Sequence, residues 1–254
     1  MFQENITIGI KTFLRPTSLK YCLMRLRQYF PKIKILVADD STEEIKKINQ
    51  KLSQKFNAEY LDLEFDSGLG FGRNKMIEKT TTKYYLTLDD DSLIDNRFDL
   101  SKLYQLMEET NLDIIACQRG VNKKASKHYY HFFDSVKKTS EERFGKYLIY
   151  YDQEMKPERK INNQLKMNLY QTHLINENYI GKTEILKKNL YQNEIKIGQH
   201  QLHFAKLFLN KVSIGYCPDI IIGEKVNYPE EYLKYRSRKG TWIKPDDIKM
   251  ILIK

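Results

Sequence analysis

No apolar stretch in the 254 residues approaches the about 20 that a membrane-spanning helix requires. The start, Met1-Phe2-Gln3-Glu4-Asn5, lacks the basic and apolar regions of a secretory signal, so a cytoplasmic protein is the expectation. Cysteine is scarce and odd in number. Cys22, Cys117 and Cys217 stand far apart in apolar runs, which excludes a disulfide framework and zinc spacing and points to buried thiols in a reducing compartment. Repeats, low-complexity tracts and Pro/Gly-rich linkers are absent too, leaving one elaborated domain over residues 1–254. Acids are outnumbered, 33 against 43 Lys and Arg, for a net charge of +10. The cations are spread over every predicted helix, and no helix-turn-helix, zinc or RNP-type pattern accompanies them, so nucleic acid is not the expected partner. Such a surface suits peripheral contact with the anionic inner face of a membrane.

What is present is a cadence of short apolar runs and helix-period segments. Ile6 to Ile10, Ile35 to Ala38 and Tyr84 to Leu88 are of strand length. Thr17 to Phe30 puts Leu19, Leu23 and Leu26 on one helix face with Pro16 near its start, and Glu43 to Phe56 reads as a second amphipathic helix. This order predicts βαβ units, hence an α/β fold with a mostly parallel sheet and helices on both faces. Ligands of such sheets bind beyond the carboxyl ends of the strands. Thr12, Asp39-Asp40 and Asp89-Asp90-Asp91 all fall at that edge. Consecutive acids there repel one another unless a cation neutralises them, and hard oxygen ligands suit Mg²⁺ or Mn²⁺ holding a diphosphate. A solvated turn with a helix N-cap at Asp91 or Ser92 is the plain alternative. Between these acids lies Asp66-Ser67-Gly68-Leu69-Gly70-Phe71-Gly72-Arg73-Asn74, read as a glycine loop whose amides, with Arg73 at the start of a helix Asn74 to Lys79, suit phosphate oxygens. Its glycine spacing is not that of a dinucleotide fingerprint.

Ile8 to Arg15, Val37-Ala38-Asp39-Asp40-Ser41, Gly68 to Lys75 and Tyr85 to Asp91 together resemble, in order and at ordinary spacing, the successive signatures of GT-A glycosyltransferases. They are most similar to family-2-like enzymes and to β-1,4-N-acetylgalactosaminyltransferases. The resemblance implies a Rossmann-like fold with a nucleotide-sugar donor half (1–120), and an acceptor half with a small insertion and a C-terminal tail (121–254). It also implies a metal-dependent transfer of a hexose or N-acetylhexosamine from a UDP-sugar to a glycan or lipid-linked glycan acceptor, as in surface polysaccharide or lipooligosaccharide synthesis. Residue by residue, it places Thr12 and Arg15 beside the nucleotide, Asp40 on the base, Gly68 and Arg73 at the diphosphate, and Asp89, Asp90 and Asp91 in the D-x-D position with Asp91 on the metal. Glu224 falls where several relatives carry a metal-binding histidine, and Tyr235-Arg236 is similar to the tail that closes over the donor.

The base is less marked. Where inverting relatives carry a carboxylate, this chain has Gly198-Gln199-His200-Gln201-Leu202-His203-Phe204. Counting back from the strand around Val212 to Ile222 puts His203 at the base position, and an imidazole titrating near ~6.5 can take a proton. Glu177 is the second candidate, in the stretch where relatives line the donor sugar. An ordinary helix face with Phe204, Leu207 and Phe208 buried accounts for the same histidines. Without a carboxylate, transfer of a non-sugar or phosphate-linked unit, or a silent glycan-binding relative, stays open. The aromatic segments Lys127 to Phe133 and Tyr147 to Tyr151 suit either an acceptor platform or core-completing strands.

Overall fold

Apolar runs of strand length bury best when paired side by side and covered on both faces, and that is what these do. The computed structural model describes residues 2–121, 124–126, 129–132, 149–150, 160–175, 178–193, 199–225 and 227–236. In chain order, β1 (Ile6–Thr12), α1 (Pro16–Tyr29), β2 (Lys34–Asp39), α2 (Glu43–Lys55), β3 (Glu59–Asp62), α3 (Leu69–Lys79) and β4 (Tyr84–Asp89) make the first half. There follow β5 (Ser92–Leu93), α4 (Leu100–Glu109), β6 (Ile114–Val121), β7 (Lys124–Ser126), β8 (Tyr129–Phe132) and β9 (Ile149–Tyr150). The chain continues with β10 (Tyr170–Thr172), β11 (Leu174–Ile175), β12 (Tyr179–Lys182), α5 (Thr183–Lys188), α6 (Gln199–Leu209), β13 (Ile214–Glu224) and α7 (Glu230–Arg236).

The main sheet runs β10-β13-β6-β12-β4-β1-β2-β3. Strands β3, β2, β1 and β4 are mutually parallel, as are β6 and β13, whereas β12 runs antiparallel between β4 and β6. Alternation sends Leu86 and Leu88 to one face, against Leu19, Leu23 and Leu26 of α1 and Leu103 and Leu106 of α4. Tyr85 faces the other way, into Met76 and Ile77 of α3, Leu186 of α5 and Phe204 and Leu207 of α6. Both faces are therefore apolar, and polar residues are left to the strand ends. Pro16 occupies the first turn of α1, where its missing N–H removes no bond. The three cysteines are buried and free, as expected. Part of the expected aromatic insertion is β8, which pairs with β9 and β11 in a separate small sheet, and Tyr147 lies outside the described residues.

One expectation is corrected. The glycine segment is not a loop leading to a helix at Asn74, because α3 already begins at Leu69 and takes in Gly70, Gly72 and Arg73. Only Gly68 stays outside, as the N-cap with φ 100, a left-handed conformation that glycine adopts without strain. The helical glycines permit close packing. A Cβ on Gly72 would overlap the Lys11 side chain, and one on Gly70 would sit 3.1 Å from Tyr191 Cβ. Gly9 of β1 does the same for Tyr85, whose fully buried ring lies across it. Gly9→Ala is expected to destabilise by about 3 kcal/mol, because the ring cannot swing to solvent. Urea unfolding checks this, and a change under about 0.5 kcal/mol would mean the ring repacks freely.

Candidate active site

Register alone brings the expected residues to one edge. Thr12 pairs with Asp39, and Lys11 with Asp89, at the carboxyl ends of β1, β2 and β4. The two acids ending β2 then divide the work. Asp39 is fully buried and accepts from Ser41 N–H (2.9 Å), Asn49 Nδ2 (2.8 Å) and the Tyr60 hydroxyl (2.9 Å), tying β2 to α2 and β3. Asp40 turns instead to the glycine segment, accepting from Gly68 N–H at 2.9 Å and pairing closely with Lys11. Lys11 also donates to Thr12 O at 2.9 Å. Sequence reasoning missed Lys11, although a lysine inside an apolar strand was the available signal.

The acids that end and follow β4 are each met by a guanidinium. Arg73, itself fully buried, donates from Nη2 to Asp89 Oδ1 at 3.0 Å. Arg15 forks between Asp90, in close contact, and Asp91 Oδ2 at 2.8 Å, while the Thr12 hydroxyl donates to Asp90 Oδ2 at 2.8 Å. Burial raises the Asp90 carboxyl well above its ordinary range, and Arg15 pulls the other way. Glu224 enters from the neighbouring strand. It pairs with Ser92 in the register of β13 with β5, Lys225 N–H donates to Asp91 O at 2.8 Å, and the Glu224 carboxylate contacts Arg119, a second residue the sequence reading missed. Among the described residues no group of three or more His, Cys, Asp or Glu side chains is arranged to hold a metal ion. Asp91 and Glu224 on adjacent strand ends still fit a hard divalent ion, since Mg²⁺ commonly takes one or two protein carboxylates and completes its shell with phosphates and water.

Aromatic side chains cover this edge. The Tyr232 ring of α7 lies 4.5 Å from the Arg15 guanidinium, and Tyr235 packs edge-on to Phe13 and Phe65 at 5.2 and 5.7 Å. The tail thus sits over the ends of β1 and β3. Arg236 ends α7, and the described side chains do not include it.

His203 is on a helix, α6, as the alternative reading had it, and its ring is inside the protein. It is 2% exposed, stacked on Tyr191 with centroids 3.7 Å apart, and neither ring nitrogen has a hydrogen-bond partner among the described residues. Burial, then the charges of His200 and Arg73, hold its pKa well below the ordinary value, so the ring is neutral. Above about pH 6.5 this is harmless. Below that the unfolded chain takes a proton the buried ring refuses, and the folded state loses about 1.4 kcal/mol per pH unit until its own pKa is reached. His203→Phe is expected to flatten that acid limb in urea titrations, and an unchanged slope would place the ring in contact with water. Glu177 lies outside the described residues.

Comparison with known proteins adds kinship to geometry. A family model described as Glycosyl transferase family 2 matches residues 7–174. The mouse protein Beta-1,4 N-acetylgalactosaminyltransferase 2 is 28% identical over 241 residues, 94% of this chain and 43% of its own length. Human Beta-1,4 N-acetylgalactosaminyltransferase 1 is 34% identical over 110 residues, 43% of this chain and 20% of its own. The chain therefore spans less than half the length of these relatives. Among solved structures, S. aureus TarS 1–349 in complex with UDP-GlcNAc superposes with a TM-score of 0.59 at 16% identity, covering 98% of this chain and 70% of that one. The mannosyltransferase PcManGT from Pyrobaculum calidifontis, in complex with GDP-Man and Mn²⁺, gives 0.59 at 11% identity, covering 91% and 59%. At such identities the likeness carries the fold, which is the GT-A arrangement expected from the sequence.

Proposed function

The chain belongs to glycosyl transferase family 2, and from that premise we propose that it moves a hexose or N-acetylhexosamine from a UDP-sugar to a glycan hydroxyl by direct displacement. The observation carrying this reading is the convergence of Lys11, Arg15 and Arg73 with Asp40, Asp89, Asp90 and Asp91 on one sheet edge. Cations suit the two phosphates, and carboxylates suit a divalent ion between them. Asp91 and Glu224 would hold Mn²⁺ or Mg²⁺, which stabilises the charge growing on the departing UDP. Thr12, Asp40 and Gly68 border the nucleotide, and Arg15 and Arg73 exchange part of their carboxylate contacts for phosphate oxygens. Asp89 and Asp90 keep the guanidinium groups in place.

The incoming hydroxyl must lose a proton. His203, neutral, weakly basic and buried against Tyr191, is the weaker candidate. Glu177, a carboxylate two positions before Tyr179 in the sequence, is the base in this reading. The relatives named for N-acetylgalactosaminyl transfer, and the neighbour bound to UDP-GlcNAc, support UDP as the donor nucleotide. The acceptor is a surface polysaccharide or a lipooligosaccharide. Among the described residues no helix is long and apolar enough to cross a membrane, and the basic surface serves peripheral contact with it.

A nucleotide panel tests the donor half. UDP with Mn²⁺ is expected to raise the melting temperature in proportion to the logarithm of its concentration, more than GDP or UDP with chelator does. An equal or absent response to all of them would end the UDP reading. Loss of UDP release in Glu177→Gln, with release retained in His203→Gln, is the expected division between the two bases.

A further inference from the structure

Between the first turn of α1 and the paired ends of β5 and β13 lies a cavity of about 330 Å³, whose lining includes Thr17, Ser18, Tyr21, Asp91, Ser92 and Lys225. Ser18 and Ser92 are 5% and 4% exposed, yet neither hydroxyl makes a hydrogen bond among the described residues. Leaving a buried hydroxyl unpaired costs about 1–3 kcal/mol, so two of them on one cavity mark a place where a polar ligand repays burial. The helix end adds donors. Arg15 makes no side-chain cap, the first amide bonded back into α1 is Leu19 N–H to Arg15 O at 3.1 Å, and the amides of Thr17 and Ser18 precede it in the turn that has no intrahelical acceptors. At the rim the Lys225 ammonium rests 3.6 Å from the centre of the Tyr21 ring, which is 40% exposed.

Charge decides among ligand classes. Asp90 and Asp91 both border the cavity, and Arg15 and Lys225 offset them. An anion would meet two carboxylates, and a cation would meet a helix N-terminus and an ammonium. A neutral ring carrying several hydroxyls needs the mixture that is there: amides and an ammonium to donate, carboxylates to accept, and hydroxyls that do either. The volume is at the lower end of the ~300–1,000 Å³ typical of small-molecule sites, which suits one ring rather than an oligosaccharide.

We propose that this cavity seats a neutral pyranose of the acceptor glycan, read by Ser18, Ser92 and Lys225, with Asp91 as the wall shared with the donor side. The inference rests on the transfer reading in taking the ring as acceptor; binding itself is independent of it. The test uses no donor. A panel of methyl hexopyranosides and their 2-acetamido counterparts is titrated into the full chain, followed by saturation-transfer NMR and calorimetry, with inorganic phosphate as the anionic probe. At least one glycoside is expected to bind. Its affinity should fall about tenfold in Ser18→Val, which fills the cavity, and at least about threefold in Lys225→Met, a rim change that spares the core. Thermal melting checks that both variants fold. The proposal is overturned if no glycoside of the panel binds the unmodified protein, if both variants bind it unchanged, or if phosphate binds more tightly than any glycoside. Absence of a UDP response with glycoside binding intact would end the donor reading and leave this site standing.

Discussion

Asp91→Ala is expected to lower UDP release from a UDP-sugar by about 10³-fold, with the fold intact. Among the described residues it has two attachments. Its backbone carbonyl takes Lys225 N–H, which alanine preserves, and its carboxylate takes one branch of Arg15, which keeps Asp90 as partner. Folding therefore should change by about 1–2 kcal/mol. Turnover should change far more, because the proposed ion would lose a ligand and the departing diphosphate its charge stabilisation. The measurement is nucleotide release against Mn²⁺ concentration. A turnover within about twofold of the unmodified protein would show that Asp91 only anchors Arg15, and the metal reading would fall.

Arg15→Met should act on the fold itself. Among the described residues the Arg15 guanidinium is the cation paired with both Asp90 and Asp91, and Asp90 is fully buried. Breaking a buried pair leaves its partner uncompensated, a loss of about 3–5 kcal/mol and, for a chain of this size, roughly 10 °C in melting temperature. Burial already raises the Asp90 carboxyl against Arg15's pull, and without Arg15 it should take up a proton at higher pH still. Adding Asp90→Asn to Arg15→Met is expected to restore part of the stability, since the stranded charge is then gone. A double-mutant cycle by urea unfolding reads this coupling, and additive losses would mean that the two residues do not sense each other. Arg15→Lys should fall between, keeping charge and losing the fork.

The sequence made the acidic sheet edge legible because two periods coincide there: apolar runs fix the strands, and polar residues at their ends have nowhere else to go. Which acid does what was not legible. Asp39 and Asp40 are neighbours in the chain, but one is bound into β2's own supports and the other turns toward Gly68. Glycine's poor helix propensity made residues 68–73 read as a loop, and tertiary packing overrode it, since only a bare Cα lets α3 lie against Lys11. A gapless count puts His203 at the base position but cannot give the orientation that turns its ring inward against Tyr191. Arg119 escaped notice because its partner Glu224 is 105 residues away.

The reversed direction of β12 has an evolutionary corollary. Its neighbour β4 delivers residues to the reaction edge as the chain leaves the sheet, whereas β12 receives its chain from that edge through Asn178 and Tyr179. Substitutions at Asn178, where the described chain enters β12, can therefore alter one side of that edge while the crossovers joining β1, β2, β3 and β4 stay as they are. On the proposed transfer reading, a lineage could diversify its products at that entrance and inherit its donor chemistry unaltered.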